Sequence, residues 1–251
     1  MMANIEYELP FQRPLSGANV ERLPSALIPS RSALIGRVVT LEPLDAARHA
    51  SDLFEASHAS AAALRIWDYL PVGPWGSEAE YAKALRQQTA RHEQIYYAVR
   101  RIEGGKACGQ TSFLDIQPEN GVIEIGSIWF DLTLRRTPAA TEALYLMLCH
   151  AMDELGYRRM QWRCNALNAA SRAAARRLGF RFEGVFYNHM IFKGKNRDTA
   201  WYSILDDEWP QVRDMIEQWL APANFHQSGS ARTSLTERMA QRGPSRRSEH
   251  L

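Results

Sequence analysis

The chain contains no run of about 18 consecutive apolar residues, which argues against a transmembrane helix. Its first residues carry Glu6, Glu8 and several prolines where a secretory signal would need an apolar stretch, so none is expected. Cysteine is scarce. Cys108, Cys149 and Cys164 are odd in number, far apart and set in apolar surroundings, which points to reduced, buried thiols in a cytoplasmic protein rather than a disulfide framework. The 7 histidines are scattered without a ligand pair, so no metal site is expected. Neither a G-x-S-x-G elbow nor a G-x-x-x-x-G-K loop occurs. Excess charge of one sign is also missing. Of the net +2, residues 226–251 supply +3 (five Arg, two Glu), leaving −1 for residues 1–225. A near-neutral body has no basic footprint of nucleic-acid size, and nucleic acid is not an expected partner.

What is present describes a globular protein: 251 residues, 45% hydrophobic and 23% charged. Residues 1–32 hold Pro10, Pro14, Pro24 and Pro29 with no sustained period and read as an extended arm. Residues 33–222 read as one domain. Residues 223–251, rich in Ser, Arg and Gly and without an apolar period, read as a disordered basic tail. Within the domain a strand over 36–44 precedes a helix capped by Asp45, and Ser77 with Glu80 forms a capping box for the next helix. Strands over 95–102 and 107–116 flank the Gly104-Gly105 turn. Val122–Phe130 is an almost unbroken apolar and β-branched run, a strand covered on both faces. A helix over 141–155 ends at Gly156, and a strand over 158–164 and a helix over 171–178 follow. Strands over 181–192 and 199–205 form a closing hairpin, and Asp207 caps a last helix to about residue 220. The order β-α-α-β-β-β-α-β-α-β-β-α predicts an α/β protein with a mixed sheet, an antiparallel meander plus one parallel β-α-β crossover.

The head of the 141–155 helix offers unpaired N–H groups and a positive dipole end, with Arg135 and Arg136 just before it. An ordinary turn with solvated arginines would look the same. The later segments add to it. Arg135-x-x-Pro138-x-Ala140, followed by Asn168-x-x-Ser171 with Gly179-Phe180 eleven residues after the asparagine, resembles the GCN5-related N-acetyltransferase (GNAT) superfamily. Thr141-Glu142-Ala143, Glu183-Gly184 and Gly194…Asp198…Tyr202 are similar to its ribosomal-protein serine/alanine N-acetyltransferase branch. The resemblance spans roughly residues 36–220 and leaves both tails outside.

This resemblance implies the GNAT fold splayed around coenzyme A, with acetyl-CoA as co-substrate and no metal. Arg135, Arg136, Thr137, Ala139, Ala140 and Thr141 would cradle the pyrophosphate, and Asn168 and Ser171 would hold the far end of the coenzyme. A bulge near Ile128, Trp129 and Phe130 would open the strand to the pantetheine. There are two departures from the family pattern. Pro138 stands where a loop glycine belongs and supplies no N–H, although a Thr-Pro pair suits a helix start. Ala175 stands where many members carry a tyrosine that protonates the leaving thiolate, a task that passes to Ser171. Ser171 also reads as a helix cap. Glu124 is the leading general base, expected on one strand face with Val122, Gly126, Ile128 and Phe130, or else half of a buried ion pair. Glu142 reads as a complement to the helix dipole or an organiser of the loop. Trp67, Tyr69, Trp75, His189 and Tyr202 are candidates for the acceptor pocket, aromatic core packing being the competing reading.

The expected activity is transfer of an acetyl group from acetyl-CoA to a primary amine, a peptide N-terminus or a small molecule, by a monomer or homodimer in the cytoplasm away from membranes. Two alternatives stay open: an acyl-CoA-binding protein without catalysis, and a partner-binding protein on a degenerate scaffold.

Overall fold

Apolar alternation and helix caps account for most of the elements, and their placement is given by a computed structural model that describes residues 8–20 and 27–243. The chain divides into two compact units, residues 23–157 and residues 1–22 with 158–251.

In the first unit β1 (Leu34–Ile35), β2 (Val39–Pro43), β3 (Ile95–Arg101), β4 (Ala107–Gln117) and β5 (Val122–Phe130) pair in that order, all antiparallel. Of the strand expected over 36–44 only residues 39–43 are strand; residues 36–38 turn the chain back so that β2 pairs with β1, which lies before the expected bounds. Asp45 caps α1 (Ala46–His58) at the Arg48 N–H, and Ser77 caps α3 (Glu78–Thr89) at the Glu80 N–H; the short α2 (Ala61–Leu64) lies between them. On one face of the strands, α1 and α3 bury Leu53, Trp67, Tyr81, Leu85 and Trp129 in a common cluster. The other face meets α4 (Pro138–Cys149): Thr111 Oγ1 touches Met147 Sδ at 3.2 Å, and Phe113 packs 6.1 Å from both Tyr97 and His150. α4 starts earlier than the apolar period suggested, since Thr137 caps it and Pro138 takes the first helical position, where no N–H is needed. It closes in a π-helical turn, His150–Glu154.

In the second unit β6 (Arg159–Asn165), β8 (Lys195–Leu205) and β7 (Arg181–Phe192) are antiparallel in the order β6-β8-β7. Asn168 caps α5 (Ala169–Arg177) at the Ser171 N–H. α6 (Trp209–Leu220) begins after Glu208, not at an Asp207 cap; Asp207 instead pairs with Arg13 at 2.7 Å. The tail departs from expectation. Beyond α6 the chain forms α7 (Leu235–Ala240), which buries Leu235 and Met239. Trp219 Nε1 donates to Thr233 O at 2.9 Å, and Arg242 Nη1 donates to Gly179 O at 2.6 Å. Five arginines made this segment look solvated, yet Arg242 is drawn in by the buried Glu208, 3.3 Å away. Burial pushes the Arg242 guanidinium down to about 10, Glu208 opposing. Residues 244–251 of the tail, and 1–7 and 21–26 of the arm, lie outside the described residues.

Candidate active site

The candidate residues fall into two sets, one in each unit. In the first, β5 carries a bulge. Its register on β4 runs Leu114↔Glu124 and Ser112↔Gly126, then Gln110↔Trp129, so β5 uses one extra residue between Gly126 and Trp129. Ser127 takes that place with φ +52°, the left-handed region a non-glycine enters only under constraint. The bulge falls just before Ile128, Trp129 and Phe130, and it reverses the alternation beyond it. Trp129, paired with Gln110, therefore shares the Glu124 face. Phe130 does not, which corrects the simple period-2 assignment. Glu124 is buried, and its carboxyl lies over Gly126, where a Cβ would come 3.3 Å from Oε1 and 2.6 Å from Leu114 Cδ2. The absent side chain of Gly126 makes that space. Buried Gln110 and Ser112 lie on the same face, with Ser112 Oγ donating to Gly126 O at 3.0 Å.

The loop after β5 is built on Asp131. Its Oδ1 accepts from Leu134 N–H at 2.6 Å, and Thr133 Oγ1 donates to both carboxylate oxygens at 3.0 Å. Arg135 Nε folds back to Phe130 O at 2.9 Å, and Arg136 adopts φ +61°. Both arginines are exposed. Thr137 Oγ1 donates to Leu134 O at 2.6 Å and accepts from Ala140 N–H at 3.3 Å; Thr137 O accepts from Thr141 N–H at 3.4 Å. The last two bonds are longer than the usual 2.9–3.0 Å or so. Ala139, Ala140 and Thr141 are buried behind this turn.

Glu142 is committed elsewhere. Its carboxylate accepts from the backbone N–H groups of Arg37 (3.1 Å), Val38 (2.8 Å) and Val39 (3.2 Å), and from Arg37 Nε at 3.3 Å. It clamps the β1–β2 turn to α4. Trp67, also buried, joins Trp75, Tyr81 and His58 in one aromatic cluster, with Trp67 and Trp75 edge-on at 4.8 Å. His58 Nε2 accepts from Trp75 N–H at 3.2 Å, and burial pushes the imidazole down. Tyr69 is exposed.

In the second unit Asn168, rather than Ser171, caps α5: its Oδ1 accepts from Ser171 N–H at 3.0 Å. The Ser171 hydroxyl is left for another partner and accepts from Trp162 Nε1 at 3.1 Å. That bond uses the hydroxyl oxygen as acceptor and leaves its proton to the neighbouring Cys164 sulfur. Cys164 neighbours it; burial pushes that thiol up to about 11, the hydrogen bond with Ser171 acting the other way. Ala175 is fully buried, so a tyrosine could not be accommodated there without displacing core. Tyr202 does not face an open pocket. It is fully buried on β8, its hydroxyl donating to Glu8 Oε2 at 3.0 Å and accepting from Arg172 Nε at 3.2 Å. His189 is exposed on β7, with Nδ1 3.0 Å from Thr199 Oγ1 and its ring against Phe186 and Trp201. Sequence reasoning missed Glu8, Arg172 and His58. Each is an ordinary residue until its distant partners are in place.

The chain has similar relatives among known proteins. A family model described as an acetyltransferase (GNAT) domain matches residues 39–181, more than half of the chain. The chain belongs to the GNAT acetyltransferase family. Among solved structures, a GCN5-related N-acetyltransferase from Brucella melitensis is 43% identical with a TM-score of 0.82, covering 84% of this chain and 96% of that one. A structure described as "a probable acetyltransferases (GNAT family) from Chromobacterium violaceum ATCC 12472" is 39% identical with a TM-score of 0.69, covering 81% and 98%. Among curated proteins, "Putative ribosomal N-acetyltransferase YdaF" of Bacillus subtilis (strain 168) is 30% identical over 105 residues. That match takes in 42% of this chain and only 57% of the relative. The α/β class expected from the sequence is the one GNAT proteins share. Among the described residues no helix is long and apolar enough to cross a membrane, and no three His, Cys, Asp or Glu side chains gather as a metal site.

Proposed function

We propose that this GNAT protein moves an acetyl group from acetyl-CoA to a primary amine, at a peptide N-terminus or on a small molecule, by direct attack without a covalent enzyme intermediate. The observation that carries this reading is the sequence of parts in one unit: a strand bulged at Ser127, a loop built on Asp131, and a helix opened by Thr137 with two exposed arginines before it. The helix head and Arg135 and Arg136 would hold the pyrophosphate, with Thr137, Ala139, Ala140 and Thr141 lining it. The backbone about Ile128, Trp129 and Phe130 would hold the pantetheine and polarise the carbonyl. Asn168 orders the turn that presents Ser171, which would donate its proton to the departing thiolate. A thiol of pKa about 8.5 needs little help at neutral pH, so one hydrogen bond suffices. Glu124, on the face of Gly126 and Trp129, would receive the amine's proton. An α-amine, neutral in about 10% of molecules at pH 7, demands less of such a base than a lysine, neutral in under about 0.1%. This favours peptide N-termini and weakly basic amines.

Pro138 and buried Ala175 favour a second reading, a protein that binds acyl-CoA without transferring its acyl group. Calorimetry with acetyl-CoA and with CoA, followed by thiol release over a panel of peptides and small amines, separates the two. Binding with release supports transfer; binding with no release from any acceptor supports the second reading. No binding of either ligand overturns both. Glu124→Gln should then lower the transfer rate by about 10²-fold with acetyl-CoA binding intact, and full activity removes Glu124 from the base role.

A further inference from the structure

Glu8, in the arm, sits in a built site. The Glu8 carboxylate is 10% exposed, and its Oε1 accepts from Arg172 Nη2 at 2.8 Å and from Arg176 Nη1. Its Oε2 accepts from the Tyr202 hydroxyl at 3.0 Å, and Arg172 Nε closes the ring by donating to that hydroxyl at 3.2 Å. Two further anchors fix the same arm. Phe11 N–H donates to Phe182 O at 2.8 Å while its ring lies under the Arg181 guanidinium at 4.0 Å, and Arg13 pairs with Asp207.

Packing alone does not explain this cluster. Arg172 and Arg176 stand four residues apart on a helix of nine, a like-charge pair that destabilises an isolated helix. The Arg172 side chain is only 11% exposed, and a guanidinium largely taken out of water costs stability unless an anion meets it. Tyr202 supplies an O–H donor aimed at the same point. Two guanidinium groups and a phenol converging on one position constitute a carboxylate receptor. Its occupant comes from 164 residues away in the chain. Arg172 directly follows Ser171, so whatever holds Arg172 also holds the first turn of α5 in which Ser171 meets Trp162.

We propose that Arg172, Arg176 and Tyr202 form a carboxylate-binding site which the chain fills with its own Glu8, and that this filling positions Ser171, making Glu8 a positioning residue for acyl transfer. The second half rests on the transferase reading; the first half does not. Glu8→Ala removes the carboxylate and leaves room for a small one. In the full-length variant the melting temperature should fall by roughly 5–10 °C. Sodium acetate or formate should restore about half of that loss or more, and sodium chloride at equal ionic strength none of it. The wild type should not respond to either carboxylate. Exchange of the Phe11 amide, whose acceptor is Phe182 O, should quicken about tenfold or more as the arm loosens. If Glu8→Ala does not fold, Glu8→Gln keeps the volume, and quickened Phe11 exchange that acetate leaves unaltered supports the site equally. Identical melting in acetate and chloride for a folded Glu8→Ala, or unaltered Phe11 exchange in either variant, overturns it. These readouts need no acyl acceptor. For positioning, kcat should fall about tenfold with the KM for acetyl-CoA within about twofold, and acetate should recover it. Unaltered kcat overturns positioning and spares the carboxylate site. A wild type that transfers nothing overturns the transferase reading, and positioning with it.

Discussion

Replacing Glu142 with alanine gives a direct measure of what the β1–β2 clamp contributes. The carboxylate is 5% exposed and takes backbone donors from Val38 at 2.8 Å, Arg37 at 3.1 Å and Val39 at 3.2 Å. The Arg37 side chain, 55% exposed and 3.3 Å away, adds little. Hydrogen bonds to a charged group contribute about 1.5–3 kcal/mol each. Counting the Val38 and Val39 bonds fully and letting water replace the Arg37 partner, Glu142→Ala should cost about 3–6 kcal/mol. At about 2–4 °C per kcal/mol for a chain of this size, melting falls by roughly 6–24 °C. Glu142→Gln keeps one acceptor oxygen but turns an amide NH2 toward the same donors, so about half of that loss is expected. Gly36→Ala tests the clamp from the other side, since a Cβ would stand 2.8 Å from Glu142 Oε2 and push the carboxylate away. Thermal melts by circular dichroism, with hydrogen exchange at the Val38 and Val39 amides, report both the global and the local loss. A cost under about 1 kcal/mol for Glu142→Ala, with unaltered exchange at both amides, would refute the clamp.

Three other outcomes are expected. Ser171→Ala should slow thiol release about 10–100-fold while acetyl-CoA affinity stays within about threefold; an unchanged rate leaves Ser171 as the acceptor for Trp162 and nothing more. Pro138→Gly restores a donor to the head of α4 and should tighten acetyl-CoA binding about fivefold by calorimetry, so equal or weaker binding would show that the missing N–H carries no penalty. The third concerns pH. Burial would raise the Glu42 carboxyl, but the hydrogen bond from His49 and the charges of Arg100 and Arg48 hold it below its ordinary 4.5. A carboxyl lowered by folding contributes stability that is complete above 4.5 and lost as pH falls through its folded value. Glu42→Gln should therefore cost about 1–3 kcal/mol at neutral pH and flatten the acid limb of urea-melt stability below 4.5; an unaltered acid limb would contradict this.

Much of the scaffold was legible in residue order because its causes are local. Val122–Phe130 and Arg181–Phe192 have the strand bounds their apolar runs predict, and Asp45 and Ser77 cap the helices they were expected to open, where a side-chain oxygen can reach an N–H two or three residues on. The Arg135-to-Ala140 and Asn168-to-Ser171 spacings carried the family for the same reason: a turn and a helix head are short-range objects.

What tertiary structure alone decided are contacts between residues far apart in the chain and the consequences of one inserted residue. Strict alternation put Phe130 beside Glu124; the bulge at Ser127 put Trp129 there, because one extra residue reverses every face beyond it. Glu142 had two plausible local roles as a helix-head acid, and its actual partners lie 103–105 residues earlier. The tail looked solvated by composition, until Glu208 and Gly179 O supplied partners for Arg242. Glu8 counted in the sequence only against a secretory signal, and became the anion of a three-donor site once α5 and β8 were folded beside it. Periodicity and caps specify elements because their forces act within a few residues. Charge pairing and register act across the fold, and a linear pattern does not contain them.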